Sequence, residues 1–239
     1  MFDSIKSKFQ FRFRDRIAAA NILAAALEDT IKKEKLDYNV ISVLGIPRGG
    51  VIVADIVATK LKASYFDIVI PRKLRIPYNE EAAFGAVTSD GTVYIDQRIV
   101  SELAISEEYI EREKNFQLQE IERRSSLYGK MKLQVKPLSE RMAKIAGTII
   151  LVDDGAASGA TVIAAAKSVR KTINSSKLVI ALPVAPAETV DKLLRKEAYK
   201  VEVVITPSSL FFNSVGQYYK NFEQVTDESV KEIMQKRMA

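Results

Sequence analysis

The chain has 239 residues, 47% of them hydrophobic and 28% charged, a formal net charge of +6, and neither cysteine nor histidine. That length and apolar content suffice for a sizeable core in one domain, or in a main domain with a small accessory piece, and exclude disordered and collagen-like classes. Lacking Cys and His, the chain can build no disulfide framework, thiolate zinc site, cysteine nucleophile, Ser-His-Asp triad or imidazole metal ligand. Any chemistry must run on carboxylates, amines, guanidinium groups, hydroxyls and backbone amides.

Much of the basic excess lies in the first sixteen residues, in Lys6, Lys8, Arg12, Arg14 and Arg16. Such ends ordinarily form solvated tails, and the excess is too small to choose among phosphates, nucleic acid and anionic membranes. The longest apolar run, residues 17–27, is broken by Asn21 and falls short of the roughly 20 residues a membrane span needs. Ile17, Ala20, Ala24, Leu27 and Ile31 recur at helical spacing, with Asn21, Glu28 and Lys32 opposite and Asp15 as N-cap. The pattern is an amphipathic surface helix of a cytoplasmic protein rather than a leader peptide.

Residues 38–44 (YNVISVL) are rich in β-branched side chains and predict a buried strand. A glycine-rich loop follows, then a helix over 51–61 and a second strand over 65–71, together a right-handed βαβ unit. Ser89-Asp90-Gly91 between two short β-like runs, 85–88 and 92–96, predicts a hairpin. Residues 106–127 are charge-laced and helical, with Ser106 at the start and Ile110, Phe116 and Ile121 as the apolar positions; a basic linker, 130–144, comes next. The clearest strand is 148–152 (TIILV), followed by a loop to 160 and a helix over 161–174. A strand at 177–183, a helix at 188–196 and a strand at 201–206 continue the alternation. Phe211, Phe212, Tyr218, Tyr219 and Phe222 then precede a short helix from Asp227, capped by Thr226. Strands alternating with helices specify an α/β fold with a mainly parallel sheet flanked by helices.

In open α/β sheets ligands bind beyond the carboxyl ends of the strands, and three loops leave such ends. The first, Asp153-Asp154-Gly155-Ala156-Ala157-Ser158-Gly159-Ala160-Thr161, sets two acids before seven small residues and a helix. Small residues let backbone N–H groups converge, and a helix N-terminus favours an anion. Two carboxylates ahead of such a cradle repel phosphate but accept hydrogen bonds from sugar hydroxyls, an order that suits a ribose 5-phosphate. A Walker A loop fits worse, since Gly159 is followed by Ala160-Thr161 rather than by Lys-Ser/Thr. An ordinary strand-loop-helix turn with a capping Asp accounts for fewer of these features.

This segment, with Ile149-Ile150-Leu151-Val152 before it, resembles the phosphoribosyl pyrophosphate signature of the type I phosphoribosyltransferase family, with Ser158 where Thr is commoner. The resemblance implies that Asp153 and Asp154 hold the ribose hydroxyls, and that Gly155, Ala156, Ala157, Ser158, Gly159, Ala160 and Thr161 hold the 5-phosphate. It also implies a fold of that family, one domain over 1–239 with a helical insertion near 97–130 and a small hood from terminal segments, near 207–239. The second loop, Gly45-Ile46-Pro47-Arg48-Gly49-Gly50, lies where the family binds pyrophosphate, which assigns that role to Pro47, Arg48, Gly49 and Gly50. The third, Arg72-Lys73-Leu74-Arg75-Ile76-Pro77-Tyr78-Asn79-Glu80-Glu81, matches family positions where basic residues touch pyrophosphate and a mobile lid follows. From the residues alone, Arg72 and Lys73 are either anion ligands or solvated strand-end charges. The combination of Gly-x-Pro-Arg-Gly-Gly, an Arg-Lys lid, a helical insertion and Val-Asp-Asp-Gly resembles a less characterised branch of the family and identifies no acceptor.

The implied reaction displaces pyrophosphate from the anomeric carbon by a nitrogen nucleophile, with Asp153, Asp154, Lys73 and Arg48 as the catalytic set. Mg2+ would be carried by the donor rather than by a protein cage. The expected partners are phosphoribosyl pyrophosphate and a nitrogenous acceptor, with no membrane and no nucleic acid, and a homodimer left open. Ala157 stands where 6-oxopurine enzymes of the family carry Asp, which disfavours hypoxanthine and guanine. A non-catalytic regulatory protein binding the donor or a nucleotide is the alternative. The tail aromatics either stack on a base or plug the sheet.

Overall fold

The computed structural model describes residues 11–36, 40–128, 147–172 and 177–238. Lys6, Lys8 and the basic linker at 130–144 lie outside the described residues. Strands β1 (Ile41–Gly45), β2 (Tyr65–Ile68), β6 (Thr148–Val152), β7 (Lys177–Val184) and β8 (Lys200–Ile205) form one sheet in the order β2-β1-β6-β7-β8, and every pair is parallel. Strands β3 (Arg72–Ile76), β4 (Asn79–Val87) and β5 (Val93–Ile95) form a second, antiparallel sheet. The fold is α/β with a mainly parallel sheet flanked by helices.

The central strands are apolar at nearly every position because both faces are covered. Ile149, Leu151, Leu178, Ile180 and Leu182 pack on one face against Val162, Ile163 and Ala166 of α5 (Ala160–Thr172) and Leu193 of α6 (Ala187–Lys196). Ile150, Val152, Val179 and Ala181 pack on the other against α1 (Arg16–Lys33) and α2 (Gly49–Lys60). Each fully buried Leu or Ile contributes roughly 1.5–3 kcal/mol, so this alternation holds the five carboxyl ends in one row.

Asp15 caps α1 through the Ala18 N–H at 2.8 Å. The buried stripe of α1 is Ala19, Ala20, Leu23, Ala24, Leu27 and Ile31, whereas Ile17 is 52% exposed. The helical spacing predicts Ile17 on that stripe. In the first turn it is Arg16 that points inward, which leaves Ile17 outside.

The segment 72–81, expected as a lid loop, is a hairpin instead. Leu74 is fully buried with Phe84 and Val87, Lys73 is exposed, and Arg72 and Arg75 are partly buried, bonding to Gln117 and Glu113. Pro77 and Tyr78 make the turn, with Tyr78 at φ 64°. Two residues of loop-like composition at the tip, and charges on the positions around Leu74, hide the strand alternation. The predicted Asp-Gly hairpin is present, with Gly91 at φ 76° and the Thr88 N–H bonded to the Thr92 carbonyl.

Helix α3 (Gln97–Glu102) leads to α4 (Glu107–Tyr128), whose first turn is capped by the Ser106 hydroxyl at 3.2 Å from Tyr109 N. Of the expected apolar positions of α4, Ile121 is buried and Ile110 packs partly buried on the same core, but Phe116 is 48% exposed, and Glu113, Gln117 and Tyr128 turn inward as well. Glu113 accepts from the Arg75 N–H, Arg75 Nε and Gln117 Nε2, so the buried positions are polar but satisfied.

The two ends of the described chain meet. Phe13 N–H bonds to the Tyr218 carbonyl, and Lys220 N–H returns to the Phe13 carbonyl, both at 2.8 Å. Phe13, Tyr218 and Tyr219 are buried with Val184, so these tail aromatics plug the end of the sheet. Phe211, 71% exposed, does not take part in the plug. The last helix, α7 (Asp227–Met238), is capped by Thr226 as expected, through Ser229 N at 3.1 Å. Among the described residues no helix is long and apolar enough to cross a membrane.

Candidate functional site

Strands β1 and β6 are adjacent and parallel, with Gly45 opposite Val152. Their loops therefore leave the sheet side by side, and the Ile46 N–H bonds back to the Val152 carbonyl at 2.9 Å. The two loops touch. A Cβ on Gly49 would lie 1.8 Å from Asp154 Oδ2, and one on Gly50 would lie 2.7 Å from Asp153 Cα. Only glycine admits that approach. Helix α2 starts at Gly49, two residues before the predicted start, so its first free N–H groups open beside the acid pair.

Asp153 and Asp154 are partly buried at the strand end. Burial pushes both carboxyls above the ordinary carboxylate range, and for Asp153 the neighbouring Asp154 charge adds to it. For Asp154, Arg16 opposes the rise: its Nε donates to Asp154 Oδ2 at 2.7 Å. Arg16 also donates from Nη1 to the Glu223 carbonyl, and its guanidinium stacks 3.9 Å over the Phe222 ring. The Tyr219 hydroxyl donates to the Asp154 carbonyl oxygen at 2.6 Å. Both chain ends thus close on one residue.

Arg16 corrects the expectation of a solvated basic end: its side chain is only 11% exposed. The sequence signal for it is weak. A lone Arg next to an N-cap Asp reads as a surface charge until the tail is folded against it.

The small-residue loop after Asp154 turns at Gly155, where φ is 151° and a Cβ would meet Val215 at 2.6 Å. Ala157 and Ser158 are exposed and Ala156, Gly159 and Ala160 are buried. Helix α5 begins at Ala160, so Thr161 sits in its first turn with backbone N–H groups turned toward the loop. The loop is braced from outside, as the Thr189 hydroxyl donates to the Ala157 carbonyl at 2.5 Å. Lys192 Nζ lies 3.5 Å from the Ser158 carbonyl and 3.3 Å from Asp96 Oδ2.

Of the second loop, Pro47 is partly exposed and Arg48 turns away from the acid pair, its Nη1 3.8 Å from Asp227 Oδ1. Arg72 does not reach the acid pair either; its Nε donates to Gln117 Oε1 at 2.9 Å. Lys73 is exposed on β3 opposite Ala86. The fold therefore brings residues 45–50 and 153–161 together and joins Arg72 to α4. Among the described residues no three carboxylates cluster as a metal cage.

A mainly parallel α/β sheet with an acid pair, a small-residue loop and a facing glycine loop defines a protein of the phosphoribosyltransferase type. Comparison with known proteins agrees. The chain is 35% identical over 218 residues to a provisionally named phosphoribosyl transferase of Mycobacterium tuberculosis, in strains CDC 1551 and H37Rv alike. That match covers 91% of this chain, which spans 45% of the length of those relatives. The crystal structure of TT1426 from Thermus thermophilus is 35% identical, with a TM-score of 0.70 over 95% of this chain and 99% of that one. No family model matches the chain. The chain belongs to the phosphoribosyltransferase family.

Proposed function

We propose that the chain transfers the phosphoribosyl group of phosphoribosyl pyrophosphate to a nitrogen acceptor and releases pyrophosphate. The supporting observation is the contact of the two loops, in which Gly49 and Gly50 lie against Asp154 and Asp153. Carboxylates accept hydrogen bonds from vicinal hydroxyls, and the N–H groups of residues 155–161 receive a 5-phosphate at the start of α5. Pyrophosphate, on the far side of the anomeric carbon, then falls beside the first turn of α2 and Arg48. Lys73 and Arg72 on the β3–β4 hairpin are the further cations of this side.

In this mechanism the C1–O bond to pyrophosphate breaks while the acceptor nitrogen forms the new bond to C1, and the acceptor's proton leaves to solvent. Charge develops on the leaving group and on an oxocarbenium-like sugar. Fixed amides and guanidinium groups stabilise the first and the acid pair the second. Mg2+ belongs to the substrate, where it neutralises phosphate charge, since it binds phosphates and keeps several waters. The hood is the joined chain ends, Phe13 with residues 218–222, and the helical insertion is α3 with α4. Ala157 offers a methyl group where a carboxylate would meet a 6-oxopurine, which favours other nitrogen acceptors.

The test is pyrophosphate release from labelled donor with Mg2+ and a panel of nucleobases and simple amines. Release with one acceptor class is the expected result. Donor binding without release on any acceptor would make the chain a sensor rather than an enzyme. No donor binding at all would overturn the proposal.

A further inference from the structure

The inner face of α4 carries cations that the acid pair does not engage. Gln117 accepts from Arg72 Nε, and Tyr128 donates to Asp227 Oδ1 at 2.6 Å, the oxygen that Arg48 Nη1 also faces. Arg124 lies between them, seven residues after Gln117 and four before Tyr128, spacings that share one helix face. The Arg124 Nε is buried without a hydrogen-bond partner. Neighbouring acids are occupied: Glu113 by Arg75, Glu120 by Arg123, and Asp227 by Tyr128 and Arg48. Among the described residues neither Arg72 nor Arg124 pairs with a carboxylate. Burial, then the Arg124 charge, pulls the Arg72 guanidinium below its ordinary pKa, opposed by the charge of Glu120, which three arginines share. Partly buried guanidinium groups that outnumber their carboxylates are stabilised by an anion, and a phosphoryl group matches their fork.

We propose that Arg124, with Arg72 and Arg48, forms a subsite for the terminal phosphate of a pyrophosphate, so that α4 completes the leaving-group side of the donor site. Arg48 is the link, since its neighbour Gly49 abuts Asp154. The choice of pyrophosphate rests on the phosphoribosyl chemistry proposed above.

The experiment is calorimetric titration of the full chain with Mg2+ and inorganic pyrophosphate, ribose 5-phosphate or the donor, in wild type, Arg124→Gln and Arg123→Gln. Arg123 is exposed and already paired with Glu120, so it serves as the charge control. Arg124→Gln should weaken pyrophosphate and donor by about ten- to a hundred-fold, the worth of a charged hydrogen bond, and leave ribose 5-phosphate and the Arg123 variant unchanged. Wild-type affinity for pyrophosphate and donor in Arg124→Gln, or no pyrophosphate binding by wild type, overturns the subsite. Pyrophosphate binding that depends on Arg124, without any binding of ribose 5-phosphate or donor, leaves the subsite standing and sinks the phosphoribosyl chemistry. If Arg124→Gln shows no melting transition, Arg124→Lys is read instead. It keeps the charge and loses the fork, so weakened pyrophosphate binding supports the subsite and unchanged binding overturns it.

Discussion

Arg16 Nε stands 2.7 Å from Asp154 Oδ2, joining the first turn of α1 to the loop after β6 across 138 positions of sequence. The two side chains are 11% and 15% exposed. Breaking so shielded a pair costs more than breaking a surface one, because removing one partner leaves the other buried and uncompensated. In the proposed site the same carboxylate would also accept from a ribose hydroxyl, so donor binding and the Arg16 contact would draw on one group.

Arg16→Gln should lower the melting temperature most at neutral pH. Burial already holds the Asp154 carboxyl high, and losing Arg16 raises it further. A carboxyl whose native pKa exceeds its unfolded value destabilises the fold once pH rises above the unfolded value, and the penalty disappears below it. The difference from wild type, about 1.5–3 kcal/mol at neutral pH, should therefore shrink as pH falls toward roughly 4. Calorimetry across that range checks it. A pH-independent difference would mean that Arg16 acts through its stacking on Phe222 and its bond to the Glu223 carbonyl rather than through Asp154.

Gly49→Ala tests the contact of the two loops. The added methyl group would sit 1.8 Å from Asp154 Oδ2, 2.6 Å from its Cγ and 2.9 Å from Arg16 Nε. The carboxylate must rotate away or the loop must shift, at a cost of about 1–3 kcal/mol. Donor affinity should fall along with stability. Unchanged donor affinity in a destabilised variant would separate the loop contact from the ligand site.

Most of the parallel sheet was legible in sequence, for a physical reason. Strands buried on both faces, such as residues 149–152, must be apolar at each position, and short loops between them fix the alternation. The acid pair and its glycine partners were legible because close backbone approach demands small residues at fixed places. Three things were hidden. The β3–β4 hairpin carries Arg72, Lys73 and Arg75 around the one buried Leu74 of its first strand, so that strand reads as a charged loop. The inner face of α4 is built on Glu113 and Gln117, which a search for apolar periodicity passes over. Arg16 acts through a contact made only when the distant tail at Tyr219 and Phe222 folds beside it, and no local pattern encodes that.

The polar seam of α4 gives a stability prediction. Glu113 Oε1 accepts from Arg75 N, Arg75 Nε and Gln117 Nε2, at 3.1, 3.0 and 2.8 Å. Glu113→Ala strands those donors, and charged hydrogen bonds of this kind are worth about 1.5–3 kcal/mol. For a domain of this size that means a loss of roughly 3–12 °C in melting temperature. The substitution should leave ribose 5-phosphate affinity unchanged, because Glu113 faces the hairpin rather than the acid pair. A melting temperature within a degree or so of wild type would show that α4 is held by Ile121 and Tyr128 instead.

The acid pair itself should answer unequally to two conservative changes. Asp153 Oδ1 accepts from the Asp154 N–H, and burial and the Asp154 charge hold its carboxyl far above the usual range. Asp153→Asn removes a charge that the native state penalises. It should raise the melting temperature near pH 7, and the gain should fade as pH falls to where the wild-type carboxyl is protonated in both states. Asp154→Asn relieves a burial penalty of the same kind but leaves the Arg16 guanidinium, 11% exposed, without its carboxylate, so its gain in stability should be smaller than that of Asp153→Asn. Unequal changes in stability come with the same sign in function. In the proposed site each variant would lose negative charge beside the anomeric centre, so turnover should fall more than donor affinity, the mark of a contact that strengthens at the transition state. Melting curves, donor titration and pyrophosphate release on both variants separate the effects. If both variants keep wild-type turnover while their stabilities move apart as described, the carboxylates serve the fold alone and the ribose site lies elsewhere.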